Sequence, residues 1–163
     1  MSQEMAQRVH LVKGFDPVAD FNDTTQYTQG VNAKNYNKVR FIYYKGVGTT
    51  GTSTLTVLAG SDCIAQGATG PTASTAIPFR YKAITSGDTE GAYTDATTSG
   101  FTTTAGSSQL YVIEVDCDQL GDTGYNYVYL KMVEVVNSPV LGGVLVECYG
   151  GRFQQDVPAT AIT

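Results

Sequence analysis

The stretch GYNYVYLKMVEVV, residues 124–136, leaves the backbone little choice. Tyr125, Tyr127 and Tyr129 alternate with Val128, Leu130 and Met132. A period of two puts the tyrosines on one face of a strand and the aliphatic side chains on the other. QLYVIEVDC, residues 109–117, repeats the pattern with Tyr111, Ile113 and Val115 opposite Val112, Glu114 and Asp116. Two such strands need a sheet, and the sheet needs something to cover its apolar face.

The rest of the chain supplies it. NKVRFIYYK at 37–45 sets Val39, Phe41 and Tyr43 on one face, and residues 53–59 alternate around Leu55, Val57 and Ala59. TAIPFRYKAI at 75–84 is strand-like, with Pro78 implying an edge or a bulge. LGGVLVECYG closes the series after a break at Asn137–Pro139. No segment has a helical period. About eight short strands with Gly, Asn, Ser and Pro turns predict a single antiparallel β-sandwich, jelly-roll-like or Ig-like. Residues 1–23, with one short strand VHLVK, and residues 151–163 are expected as extended terminal arms of this one domain. Residues 85–108 are rich in Thr, Ser and Gly. They either hide a short strand near Ala92–Thr97 or form an exposed functional loop.

YYKGVGTTGTSTLTV at 43–57 contains two nucleotide-binding spellings. Gly46, Gly48 and Gly51 read G-x-G-x-x-G, and Gly46–Ser53 is a near miss for a P-loop. Both motifs need a helix after the glycines, because the helix N-terminus meets the phosphates. A strand pattern follows instead, and position 52 is Thr where the P-loop has Lys. The expected object is a glycine-rich loop of a β-hairpin, with no nucleotide.

Charge narrows the partners. The net charge is −5 and only 15% of residues are charged. A nucleic-acid binder needs a basic face, and Arg80–Lys82 is the only close basic cluster. The opening residues carry charges throughout and no apolar run is long enough to span a membrane. A chain folded in the cytoplasm, touching neither membrane nor nucleic acid, is expected. Cys63, Cys117 and Cys148 are odd in number and far apart, and His10 is the sole histidine. They read as buried free thiols, not zinc ligands.

Three other chemistries fail on spacing. Asp116, Asp118 and Gly121 begin like a calcium loop, but Leu120 and Tyr127 stand where ligands are required. Glu114 and Asp116 share a strand face and could serve glycoside hydrolysis, yet such pairs are common on solvated faces. No G-x-S-x-G is present for a serine nucleophile. The Asn22–Thr24 sequon has no meaning without a secretory signal. No catalytic residue, metal or cofactor is expected. The Tyr125, Tyr127, Tyr129 stripe admits three uses: a sugar-stacking platform, a protein interface, or packing under a loop of the same chain.

The stretches KGVGTTGTSTLTV, AIPFRYKAI, GFTTTAGSSQLYVIEVD, GYNYVYLK and VNSPVLGGVLVECYGGRF resemble the capsid decoration, or cement, proteins of tailed bacteriophages. The likeness runs from about residue 10 to the C-terminus and lies in strand and turn patterns. It implies a β-sandwich that binds the outside of an icosahedral head, contacts the major capsid protein and copies of itself, and resists internal DNA pressure. A homo-oligomer, trimer or dimer, is expected because capsid sites lie on symmetry axes. The interface residues expected are Val9, Leu11, Val12 and Phe15 in one arm, Tyr125, Tyr127 and Tyr129 in the stripe, and Phe153, Val157 and Ile162 in the tail. A virion-displayed carbohydrate-binding or host-adhesion module is the alternative, and a small hydrolase the remotest.

Overall fold

The structure, a computed structural model, describes residues 8–151 and 160–162. Its strands are β1 (Val9–Val18), β2 (Thr25–Tyr27), β3 (Val31–Asn32), β4 (Lys38–Lys45), β5 (Thr52–Gly60), β6 (Ser74–Ala76) and β7 (Phe79–Ser86). After them come β8 (Thr89–Glu90), β9 (Thr94–Ala96), β10 (Phe101–Thr102), β11 (Gln109–Asp116), β12 (Tyr127–Val136) and β13 (Gly142–Tyr149). Short 3-10 turns occupy Ala33–Asn35 and Cys117–Leu120. The larger sheet runs β1-β13-β4-β11-β7-β8, with β9 also on β7; the smaller runs β10-β5-β12-β2, with β3 on β12 and β6 on β5.

Four antiparallel pairs define the topology: β1 with β13, β2 with β12, β4 with β11, and β5 with β10. The first and third belong to the larger sheet, the second and fourth to the smaller. A long hairpin rolled so that successive pairs alternate between two sheets is a jelly roll, and this order sets the Ig-like alternative aside. Strands β6–β9 are inserted between the fourth and fifth strands of the roll. β6 stays on β5, while β7–β9 extend the larger sheet past β11. Pro78 sits between β6 and β7, where the chain leaves one sheet for the other and a ladder N–H is not needed. The stretch 85–108 does contain a short strand, β9, besides β8 and β10.

The core follows the alternation read from the sequence. Val39, Phe41 and Tyr43 of β4, Tyr111, Ile113 and Val115 of β11, and Val144, Val146 and Cys148 of β13 pack inward. Leu55, Val57 and Ala59 of β5 and Val128, Leu130 and Met132 of β12 meet them from the smaller sheet. Full burial of each such aliphatic or aromatic side chain contributes about 1.5–3 kcal/mol. The phenol of Tyr43 keeps its polar tip satisfied by donating to Asn22 Oδ1 at 2.8 Å. Tyr81 of β7 stacks on Phe101 of β10 with ring centroids 3.6 Å apart, tying the inserted strands to the smaller sheet.

The arm boundary drawn from the sequence is corrected at its N-terminal side. From Val9 onward the segment is β1, the edge strand of the larger sheet, and Val12 and Phe15 belong to the core. Glycine at 14 and proline at 17 hid its length. β1 has register shifts after Lys13 and Phe15, which let an irregular strand stay paired. Its outer edge is partly occupied, since Gly14 O accepts from Gln29 N at 2.7 Å and Asp16 N donates to Gln66 Oε1 at 2.7 Å. Bulges and such cover keep an edge from pairing with other chains.

Candidate docking surface

The glycine motif is a corner between sheets. Gly46–Gly51 links β4 of the larger sheet to β5 of the smaller, so the expected hairpin is replaced by a crossing. A strand, β5, follows it. None of Gly46, Gly48 and Gly51 has positive φ; their role is close approach. A Cβ on Gly51 would lie 2.3 Å from Ser138 O, and one on Gly46 3.1 Å from Leu141 O.

The acidic candidates are structural where they stand. Asp116 Oδ1 accepts from Asp118 N at 3.3 Å and caps the Cys117–Leu120 turn. Among the described residues no group of three or more His, Cys, Asp and Glu side chains could hold a metal ion. Glu114 lies between Lys38 Nζ at 3.1 Å and Arg40 Nη2 at 3.3 Å. Burial alone would raise its pKa, but these two cations outweigh burial and hold the carboxyl below its ordinary value. Cys63, Cys117 and Cys148 are free thiols. Cys148 is fully buried, and burial pushes its thiol up to about 12. Cys63 and Cys117 are only half-buried.

The tyrosine stripe is divided by its surroundings. Tyr129 is fully buried, wedged against Gly30 and Gly60 beneath connections of its own chain. Tyr125 is half-buried against the core, and Tyr127 is half-buried between Asn32 and Gly60 of its neighbouring strands. Of the three uses the sequence admitted, packing under the same chain is the one Tyr129 has. Among the arm residues, Leu11 is exposed and Val9 half-buried, while Val12 and Phe15 are interior. Phe153 and Val157 lie outside the described residues. Ile162 is exposed beside Ala161, which is buried and accepts from Asn32 N at 2.7 Å.

The surface the sequence did not single out is the outer face of the larger sheet. The strand registers arrange it in rows. Leu145, Ile42, Val112 and Lys82 form one, and Gly143, Tyr44, Leu110 and Ile84 another. The next row is Glu147, Arg40, Glu114 and Arg80. The apolar rows end in a hollow of about 500 Å³ lined by Pro17, Ile42, Tyr44, Leu110, Leu141 and Leu145. Tyr44 is 54% exposed, Leu145 53% and Val47, on the adjoining corner, 73%.

Beside the apolar rows lies a charge lattice. Every ion pair between described residues is on this sheet: Lys13–Asp16, Lys38 with Glu114 and Asp116, Arg40 with Glu114 and Glu147, Arg80–Asp95 and Lys82–Glu90. Arg40 is the centre, its guanidinium also donating to Tyr149 Oη at 2.9 Å and lying over that ring. Cations and carboxylates nearly balance here, so most of the chain's net charge of −5 resides elsewhere.

This face was legible only as a second alternation. RFIYY and GGVLVE carry large apolar residues on both faces of their strands: Ile42 and Tyr44 opposite Phe41 and Tyr43, and Leu145 between Val144 and Val146. A strand apolar on both sides is covered on both sides, yet nothing among the described residues covers the hollow. No family model matches the chain, and neither a curated protein nor a solved structure does.

Proposed function

We propose that this chain is a structural protein of a tailed-phage particle. It docks on the outside of the head through the apolar corner of its larger sheet and lies there beside copies of itself. The resemblance in its strand and turn segments supports the reading, and so does a jelly-roll body with one unlike face. The observation that carries it is that face: contiguous apolar rows, with Tyr44 and Leu145 exposed, beside charges that already neutralise one another. Such a surface loses water at low cost, because a partner need not supply counter-charges for Arg40, Glu114 or Glu147. Its complement is an uncharged, apolar patch of the capsid protein with a projection that enters the hollow. The net negative charge left outside the lattice keeps the molecules dispersed before assembly. A sugar-binding use of the tyrosine stripe loses its support, since Tyr129 is interior.

Heads of the parent phage assembled without this chain provide the test. Added protein should co-sediment with them to saturation and raise the temperature at which filled heads release DNA. Failure to bind such heads sinks the reading, and binding to immobilised glycans in its place would establish the adhesion alternative.

A further inference from the structure

Position 45 breaks the rule of its strand. β4 sends Val39, Phe41 and Tyr43 into the core, and alternation sends Lys45 the same way. The lysine is fully buried. Among the described residues no carboxylate is within ion-pair distance of it. Its ammonium donates instead to two main-chain carbonyls, Gly51 O at 2.6 Å and Thr104 O at 2.8 Å. Those oxygens belong to different connections: Gly51 to the glycine corner between β4 and β5, Thr104 to the segment between β10 and β11.

Further bonds extend from these two connections to the docking corner. Ser108 N donates to Gly46 O at 2.8 Å, and Gly106 N to Thr49 O at 2.9 Å. Gly46 N donates to Leu141 O at 2.7 Å, and Leu141 N to Val47 O at 2.9 Å. Val47 and Leu141 are the exposed rim of the apolar corner. A buried ammonium without a counter-ion is an expensive choice where methionine would fill the space. An apolar side chain, however, would leave the buried Gly51 carbonyl unpaired and would remove the internal anchor shared by the two connections, whose remaining links are the backbone and Ser107 bonds nearer the surface.

We propose that Lys45 is a positioning residue for the docking corner: an internal ammonium that fixes the 46–51 and 103–108 connections in the arrangement that presents Val47 and Leu141. The proposal rests on the docking reading above. It gives the glycines their purpose as well, since Gly46 and Gly51 allow the corner to lie against 138–141 while its carbonyl turns to the ammonium.

The test compares Lys45→Met and Lys45→Arg with the parent chain by residue-resolved amide exchange and by binding to heads assembled without it. In Lys45→Met, exchange at 46–51 and 103–108 should rise about 10–100-fold while β11–β13 stay protected. Head affinity should fall about tenfold or more at equal folded fraction, and Lys45→Arg should recover part of both. Unchanged loop exchange overturns the clamp. Loosened loops with undiminished binding overturn the positioning role and leave the docking reading standing. If the parent chain itself fails to bind heads, the docking reading falls, and the exchange data still judge the clamp. Should Lys45→Met not fold, the parent chain's Lys45 ammonium decides by ¹⁵N NMR. A slowly exchanging signal coupled to two carbonyls is expected, and a solvent-exchanging one overturns the proposal.

Discussion

The two sheets share one core and have unlike backs. The larger shows large apolar side chains beside a lattice of ion pairs. The smaller shows hydroxyls over its middle, where Thr54 and Thr102 meet across β5 and β10 at 2.9 Å and Thr56 follows on the same face, and exposed Val135 and Val136 at the end of β12. Away from that end, the large outward side chain Tyr129 is covered by connections of the chain. The difference teaches which surface is finished. Threonines on a strand suit water without a partner, whereas Tyr44 and Leu145 remain exposed although the chain covers a comparable residue elsewhere.

Placing negative charge on each back in turn breaks or sharpens this contrast. The double variant Tyr44→Glu and Leu145→Glu should remain folded, because both side chains already touch water. It should lose head binding by a factor on the order of 30 or more, the size expected for central interface anchors. Thr54→Glu on the smaller sheet should bind as the parent does. Equal losses from both, measured by co-sedimentation, would mean that the backs are equivalent and that the docking face is elsewhere.

The ion-pair lattice should matter next. Arg40→Met leaves Glu114 with Lys38 alone and Glu147 with the Tyr149 hydroxyl alone, both carboxylates being largely buried, and should cost about 1–3 kcal/mol of stability in urea unfolding. The cost carries a pH signature. Glu114 is held below its ordinary pKa, so its stabilisation is fully present above that value and is lost as pH falls through the lowered one. Arg40→Met should therefore cost most at neutral-to-alkaline pH and flatten the acid limb of the stability curve, the variant and parent curves converging as pH falls. A parallel downward shift at every pH would show that Arg40 acts by packing.

The smallest effect separates the thiols. Cys148 behind the larger sheet should resist a thiol reagent until the protein unfolds, while half-buried Cys63 reacts sooner. With the Cys148 pKa pushed up to about 12, the unfolded chain ionises first. Its contribution to stability is then intact below about pH 9 and declines as pH rises toward 12. Cys148→Ala should lessen that alkaline slope. Native reactivity of Cys148 equal to that of Cys63 would mean that the β4–β13 seam opens readily.

Most of the sandwich was legible because the inward residues of β4, β5, β11, β12 and β13 alternate cleanly, and burial of one face is what alternation reports. β1 was foreshortened because Gly14 and Pro17 are turn residues by local preference, while pairing with β13 and two register shifts overrode it. The site was less legible for a related reason. Period-two reasoning assigns one face inward and stops there, so Tyr44 and Leu145 passed as spare apolar residues. Nothing in the local pattern marks Lys45, because its carbonyl partners come from segments 6 and 59 residues away. The tyrosines of β12 looked like a platform because the connections that bury Tyr129 are far from it in sequence.

The nested pairing of the roll also sets a timetable. β1 is synthesised long before β13, yet Val9 lies opposite Tyr149. At about 5–20 residues per second on the ribosome, β1 waits on the order of ten seconds for its partner, with Val12 and Phe15 still uncovered. Among the described residues no earlier strand of the larger sheet can shelter it, since β13 is the one described strand beside it there. The irregularity of the strand has a use in that interval. Register breaks, Pro17 and the charge of Lys13 make β1 a poor template for a second nascent chain, so the segment slowest to find its place is also one of the least able to find a wrong one.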